Sequence, residues 1–235
     1  MNNELTSNTV VEKPPLVVEL IGPAGAGKTT LLRALSRRRK EIQPELRLSK
    51  TRNIPFFISN TFSLLPTYLR QYRQGRWFDR RETRSMVYLK AWLHVVGQQA
   101  SNHDRVIILD HGPIYRLAVL REFGPEISKS QPYQRWWASL LNQWTAALDI
   151  VIWLDAPNAI LLERIHARDH WHTIKEKCEQ EAYEYLTHYR TALERIIAES
   201  VTDGQITLLR FDTDQETVEQ IVEKTLATFD AVRRL

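Results

Sequence analysis

The sequence predicts an α/β fold in which helices cover both faces of a parallel sheet. Its 235 residues contain five short apolar runs, most of them rich in β-branched residues and nearly uninterrupted. Such runs are typical of strands buried on both faces of a parallel sheet. The segments between them show helical periodicity, and strands that alternate with helices require right-handed crossovers that pack helices against the sheet. The third observation is a glycine-rich turn that follows the first run.

The predicted elements alternate along the chain. The predicted strands are Leu16–Ile21, Leu46–Ser49, Arg105–Leu109, Ile150–Leu154 and Ile206–Leu209. The predicted helices are Thr29–Arg39, Arg81–Gln99, Tyr133–Ala147, Pro157–Arg168, Lys175–Ser200 and Glu216–Val232. In the last helix, Val218, Ile221 and Val222 share one face. Because the sequence has no internal repeat and no long flexible linker, residues 16–235 are predicted to form a single domain after a flexible tail, residues 1–15.

Composition narrows the class of protein. Hydrophobic residues make up 43% of the chain and charged residues 26%, which is typical of a globular domain. No stretch approaches the roughly 18 to 20 uncharged apolar residues of a membrane span, and the polar N-terminus lacks the layout of a secretory signal. The lone cysteine, Cys178, cannot form an intramolecular disulfide and suits a reducing compartment. We therefore expect a cytoplasmic protein without a transmembrane segment.

The turn after the first predicted strand matches the phosphate-binding pattern G-x-x-x-x-G-K-[ST] over residues 22–29. Glycines permit the dihedral angles and the close approach by which successive backbone N–H groups surround a phosphate. The helix that begins here adds free N–H groups and its positive dipole end. We expect Lys28 to reach the β- and γ-phosphates of ATP, Thr29 to bind Mg²⁺, and Thr30 to contact the α-phosphate. The expected phosphate-binding residues are Gly22, Pro23, Ala24, Gly25, Ala26, Gly27, Lys28, Thr29 and Thr30.

Two later segments place charged residues next to strand ends. The apolar run in "DRVIILDHG" ends at Asp110. Because strand C-termini line the ligand crevice of a parallel sheet, Asp110 is expected to hold Mg²⁺ or to accept the proton of an attacking hydroxyl. After the next strand, Arg164 and Arg168 are predicted to share one helix face, which suits a clamp on a phosphoryl group. The structural alternatives are a turn aspartate and a solvated basic helix end.

The order of these segments resembles that of thymidylate kinases. The resemblance rests on the phosphate loop, the strand ending "ILD", "WLDAPNAILLERIHAR", "EYLTHYRTALERI" and "GQITLLRFDTDQETVEQIV", and it covers most of residues 16–230. It implies the three-layer α/β/α P-loop NTPase fold of nucleoside monophosphate kinases, with a five-stranded parallel sheet. It also implies a mobile helical lid at about residues 164–180, and phosphoryl transfer from ATP to an acceptor held between Arg52 and the predicted helix Arg81–Gln99.

The acceptor half departs from the thymidylate kinase pattern. That family usually has Asp-Arg where this chain has Asp110-His111, and Arg-Gly in the lid where this chain has Arg168-Asp169. The family's Arg-Glu-Pro-Gly turn is replaced by "KTRNIPFF", which keeps at most Arg52. We therefore expect a P-loop kinase whose acceptor is not thymidylate.

Three kinds of acceptor remain open. A nucleotide or nucleoside would explain the arginines and aromatic residues between positions 52 and 84, through phosphate contacts and stacking. A sugar, antibiotic or other hydroxylated metabolite would explain the lost family residues, and a membrane-surface acceptor would explain the apolar run Phe56–Leu69 beside basic residues. Arg52, Arg84 and Asp110 are the candidate acceptor-binding residues; packing alone is the structural alternative for this segment.

A second class of function is a P-loop NTPase that acts as a nucleotide-dependent regulator or is associated with nucleic acid. That class needs no phosphate acceptor, and we do not expect nucleic acid to be the partner. The sequence leaves open whether two copies form a homodimer.

Overall fold

The computed structural model describes residues 15–44, 50–71, 76–98, 105–169, 171–201 and 205–234. The predicted strand Leu46–Ser49 and residues 1–14 of the predicted tail lie outside the described residues. The strands are β1 (Leu16–Ile21), β2 (Ile42–Pro44), β3 (Val106–Asp110), β4 (Ile150–Asp155) and β5 (Thr207–Asp212). The α-helices are α1 (Lys28–Arg38), α2 (Lys50–Gln71), α3 (Arg80–Gln98), α4 (Pro113–Glu122), α5 (Gln131–Ala147), α6 (Asn158–His166), α7 (Glu179–Val201) and α8 (Val218–Val232), with 3₁₀ turns at Glu126–Lys129 and Thr173–Glu176.

The sheet is parallel, as the sequence predicts, and its strand order is β2-β3-β1-β4-β5. Within the described residues it consists of four strands of five or six residues and a three-residue edge strand, β2. The central strand β1 pairs with β3 on one side, Leu16 opposite Val106, and with β4 on the other, Val18 opposite Ile150. The carboxyl ends of β1, β3 and β4 therefore meet at one edge, where a ligand crevice is expected in such sheets.

Alternate residues of β1 are buried on opposite faces of the sheet, which explains its uninterrupted apolar sequence. Val17 and Ile21 belong to a core formed with α3, α4, α5 and α7. Val18 and Leu20 belong to a second core formed largely with α1, α6 and α8. Helices thus pack on both faces of the sheet, in agreement with the predicted α/β class.

The aromatic helix α5 is a packing element at two of its tryptophans. Trp137 and Trp144 are buried on one face of the helix. The indole N–H of Trp137 donates to the carbonyl of Leu117, and that of Trp144 donates to the carbonyl of Leu89, both at 3.0 Å. A buried indole with a satisfied N–H contributes apolar burial without an unpaired polar group. Trp137 and Trp144 are therefore packing residues of the core.

Two helices were not predicted. Helix α2 contains Pro55 and Pro66, which count against a continuous helix because proline lacks an N–H and clashes with the preceding turn. Helix α4 begins with Pro113 directly after the turn at Gly112, at a position where proline is tolerated, and is only 10 residues long. The prediction that Arg164 and Arg168 share one helix face is wrong, because α6 ends at His166.

Candidate functional site

The turn between β1 and α1 has the backbone geometry of a phosphate loop. Gly22, Gly25 and Gly27 all have positive φ angles, of 139°, 88° and 86°. At Gly22 a Cβ atom would lie 2.0 Å from the carbonyl oxygen of Leu154, and at Gly25 it would lie 2.8 Å from that of Leu161. Because the loop packs directly against the backbone of β4 and α6, side chains are sterically excluded at the first two glycines.

Lys28 is the first residue of α1 and is only 8% exposed. Its ammonium group donates hydrogen bonds to the carbonyls of Gly22 at 2.6 Å and Pro23 at 2.9 Å. Burial lowers the pKa of Lys28 to about 8, with a smaller contribution from the charge of Arg168, while Asp110 and Asp155 oppose the shift. The loop therefore surrounds the ammonium group of Lys28. A polyanion bound in the loop would favour the protonated, charged form of this lysine.

Asp110 ends β3 beside the phosphate loop. Its Oδ1 lies 3.1 Å from Nδ1 of His111 and, apart from this contact, this buried oxygen has no hydrogen-bond partner among the described residues. Burial raises the pKa of Asp110, but the hydrogen bond and charge of His111 and the charge of Lys28 outweigh it, so the pKa is lowered overall. His111 has a φ of 54°, a left-handed conformation that is uncommon for residues other than glycine. The strained residue fixes an ionised carboxylate in the crevice.

Asp110 and the phosphate loop line one cavity of about 230 Å³. Its walls are formed by Ala24, Gly25, Ala26, Gly27, Lys28, Thr29, Asp110, His111, Tyr115, Arg168, His172, Ile174, Tyr185, Leu186 and Tyr189. The structure therefore brings together the predicted Lys28, Thr29, Asp110 and Arg168. The three tyrosines come from α4 and α7 and were not predicted from the sequence, because nothing in their local pattern distinguishes them from packing residues.

A second cavity of about 340 Å³ lies on the other side of the phosphate loop. It is lined by Gly25, Ala26, Gly27, Thr30, Leu31, Leu154, Arg164, Ala167, Arg168, Thr213, Glu216, Val218 and Ile221. Arg164 donates from Nη1 to the hydroxyl of Thr213 at 2.8 Å and from Nη2 to its carbonyl at 3.0 Å. The two predicted clamp arginines are thus placed differently: Arg168 borders both cavities, whereas Arg164 borders only the second of these two.

The candidate acceptor residues are not all gathered at the first cavity. Arg84 is an exposed residue of α3 and does not line either of the two cavities within the described residues. Arg52 lies in α2, and its side chain is outside the described residues. The predicted contribution of both arginines to acceptor binding therefore stays a prediction.

Glu19 is a buried acid that the sequence analysis missed. It is 0% exposed in the centre of β1, and its carboxylate accepts the N–H groups of Ile114 at 2.7 Å and Tyr115 at 2.9 Å. These groups begin α4, so the side chain satisfies free donors at a helix N-terminus. Burial raises the pKa of Glu19 to about 8, against the two backbone hydrogen bonds and the charge of Arg116. A charged residue inside an apolar strand was the available sequence signal.

The residues present suit a magnesium ion. Thr29 and Asp110 line the same cavity and supply hydroxyl and carboxylate oxygens, the ligand types that Mg²⁺ prefers. In the described part of the chain, no group of three or more His, Cys, Asp or Glu residues could hold a metal ion by itself. Mg²⁺ is usually held by one or two protein oxygens together with water and substrate phosphates.

Among the described helices, none combines the length and the apolar character needed to cross a membrane.

Comparison with known proteins gives the same fold. Residues 17–193 match the family described as an AAA domain, AAA_33. Deoxyadenosine kinase from M. mycoides with bound dCTP is similar in structure, with a TM-score of 0.51 and 16% identity over 92% of this chain and 100% of that chain. The YorR protein from Bacillus subtilis, in complex with phosphorylated GDP, has a TM-score of 0.51 and 15% identity over 93% and 98% of the two chains.

Thymidylate kinase from Candida albicans has a TM-score of 0.50 and 14% identity, and covers 93% of this chain and 92% of its own. No curated protein sequence matches the chain. At these identities the likeness concerns the fold. The expected nucleoside monophosphate kinase-like P-loop fold is therefore confirmed.

Proposed function

The chain belongs to the AAA domain family that it matches, and on that premise we propose that it is an ATP- and Mg²⁺-dependent kinase. It transfers the γ-phosphoryl group of ATP to a hydroxyl of a small molecule, which is a nucleotide, a nucleoside or another hydroxylated metabolite. The observation that carries the proposal is that a buried ammonium in a phosphate loop and an ionised carboxylate line the same cavity. The ammonium group is placed to bind a polyphosphate, and the carboxylate is placed to accept a proton from an attacking hydroxyl.

On the donor side, the backbone N–H groups of residues 22–30, other than Pro23, bind the phosphates of ATP. Lys28 contacts the β- and γ-phosphates and stabilises the charge of the transferred group. Thr29 and Asp110 would hold Mg²⁺, which when bound would neutralise charge on the phosphate oxygens. The second cavity, whose lining includes Leu31, Ile221 and Arg164, accommodates the base of the donor nucleotide.

The transfer itself relies on Asp110 and Arg168. Asp110 accepts the proton of the acceptor hydroxyl while the acceptor oxygen bonds to the γ-phosphorus and the bond from phosphorus to the bridging oxygen breaks, which releases ADP. Arg168 borders both cavities, so its guanidinium group stabilises the negative charge on the phosphoryl group as that group passes from donor to acceptor. Residues 164–180 act as a lid, and its closure excludes water from the reaction.

On the acceptor side, the cavity presents His111, Tyr115, Tyr185 and Tyr189. Aromatic walls beside a carboxylate suit a ring that stacks and a hydroxyl that is oriented. The names of the similar structures, a deoxyadenosine kinase and a thymidylate kinase, support a nucleoside or nucleotide as the acceptor class. In this proposal residues 16–235 form one cytoplasmic kinase domain.

The proposal is tested by ADP release from Mg·ATP in the presence of nucleosides, nucleoside monophosphates, sugars and aminoglycosides. We expect one class to stimulate release, and we expect Asp110→Asn to lower the stimulated rate by about 10²–10⁴-fold. Asp212→Asn is the matched control, because Asp212 also ends a parallel strand but lines neither of the two cavities within the described residues. An unchanged rate in Asp110→Asn, or hydrolysis stimulated only by nucleic acid or a protein, would contradict the kinase assignment.

A further inference from the structure

Helix α2 exposes apolar side chains to an unusual degree. Seven large hydrophobic residues are exposed in the described part of the chain, and five of them belong to this helix. These five are Ile54, Phe57, Ile58, Phe62 and Leu69. Phe62, the most exposed of all, has 71% of its surface accessible. A patch of this kind on an otherwise ordinary surface marks an interaction site.

Apart from Phe57, which lies at nearly the same angle around α2 as the buried Leu64, the exposed residues lie on the opposite, outer face of the helix. Ile54, Ile58 and Phe62 are spaced four residues apart and therefore form one stripe. Asn60 and Leu64 are buried, at positions roughly 200° around the helix from Ile58 and Phe62 at about 100° per residue. The inner face is the one that packs against this chain, which leaves the stripe available to a partner.

Contacts on the inner side attach α2 to its neighbours. Lys90 of α3 donates to the hydroxyl of Ser59 at 3.1 Å, and the indole N–H of Trp136 in α5 donates to Asn60 at 3.3 Å. Leu64 belongs to the core on this face of the sheet. The orientation of the apolar stripe is thus set by packing on the opposite side of the helix.

The charge around the stripe selects the kind of partner. Between Lys50 and Arg84 the sequence has eight basic and two acidic residues, a net charge of +6 in a chain whose total is +4. Helix α2 itself has no acidic residue. One of the two acids, Glu82, accepts hydrogen bonds from both terminal guanidinium nitrogens of Arg76, at 2.7 and 2.8 Å. The segment from Lys50 to Arg84 therefore combines an exposed apolar stripe on α2 with an excess of basic residues in its sequence.

We propose that the outer face of α2 docks onto a membrane surface that contains anionic phospholipid. The apolar side chains enter the boundary between headgroups and acyl chains, while the excess positive charge of the segment attracts the anionic headgroups, as in interfacial amphipathic helices. A second copy of this chain would bring two segments of the same +6 charge together, and nucleic acid would match the charge but leave the apolar stripe uncovered. The proposal does not depend on the kinase reaction.

The test is sedimentation of the full-length protein with vesicles of phosphatidylcholine, with and without phosphatidylglycerol. We expect binding to the anionic vesicles, weakened by added salt, and little binding to the neutral ones. The double variant Ile58→Ser/Phe62→Ser should bind anionic vesicles about tenfold or more weakly. Phe123→Ser, which removes an exposed phenylalanine outside α2, is the matched control and should bind like the unsubstituted protein.

Circular dichroism and ATP binding establish that the variants are folded, because the substituted side chains lie on the surface and outside both cavities. Equal binding by the double variant and the unsubstituted protein would overturn the proposal. Binding to neutral vesicles as strong as to anionic ones would also overturn it. The proposal would also be overturned if the protein formed a dimer that does not bind vesicles and that dissociates in the double variant. Binding to nucleic acid without binding to vesicles would overturn it as well.

Discussion

The two sides of the phosphate loop differ in what holds their charged groups. On the donor side, Lys28 contacts two carbonyls of its own loop, and Arg164 contacts the hydroxyl and the carbonyl of Thr213. On the side of α3 and α4, the guanidinium carbon of Arg116 lies 4.9 Å from the ring centre of Tyr88 and 4.7 Å from that of Trp92. Lys28 is thus held by local chain geometry, whereas Arg116 is held by packing between helices.

The largest effect is expected in the donor half, from Lys28→Ala. Loss of the ammonium removes the cation that faces the transferred phosphoryl group, so turnover should fall by about 10²–10³-fold. Folding should be largely retained, since burial already lowers the pKa of Lys28 to about 8 and the folded protein gives up an expensive buried charge. Lys129→Ala, at an exposed lysine, is the control. Steady-state ADP release measures the turnover of both variants. Full activity in Lys28→Ala would show that the donor site lies elsewhere.

Glu19 lies on the central strand β1 and connects it to the acceptor half. Its carboxyl group accepts hydrogen bonds from backbone N–H groups at the N-terminus of α4. Because burial raises its pKa from 4.5 to about 8, the folded protein keeps a proton that the unfolded chain releases. The free energy of unfolding should therefore fall as pH rises through this window, and the contribution should be fully present below 4.5 and lost above about 8. The lowered pKa of Lys28 affects the free energy of unfolding at pH values above this window, and the lowered pKa of Asp110 affects it at pH values below the window.

Glu19→Gln should flatten this pH dependence. It should also lower the free energy of unfolding by about 1–3 kcal/mol, because the amide NH₂ group of glutamine cannot accept a hydrogen bond from the backbone N–H that it would face. Denaturant unfolding at several pH values between 4.5 and 8 measures both effects. Glu219→Gln, at an exposed acid in the first turn of α8, should leave the slope unchanged. A slope that survives in Glu19→Gln would mean that another group carries the proton.

The same contrast explains how much could be predicted from the sequence. The phosphate loop was predictable because its glycines, Lys28 and Thr29 follow one another within a few residues of the sequence. The aromatic wall formed by Tyr115 and Tyr189 was not, since α4 and α7 are distant in sequence and meet only through tertiary packing. Helix α2 was missed because Pro55 and Pro66 oppose a helix locally, while Leu64 and Asn60 stabilise it through contacts with the rest of the domain.

The smallest effects come from a matched pair of glycines, one from each half. A Cβ atom would meet nothing within 4 Å at either Gly27 or Gly97, so the two sites differ in backbone conformation rather than in space. Gly27 has a φ of 86°, and Gly27→Ala should cost about 1–2 kcal/mol of stability from left-handed strain. Gly97 lies in α3, where Gly97→Ala should add about 0.5–1 kcal/mol, because alanine favours the helix. Denaturant unfolding of both variants tests the comparison. If the two changes had the same sign, backbone strain would not be what separates the phosphate loop from the helices of the acceptor half.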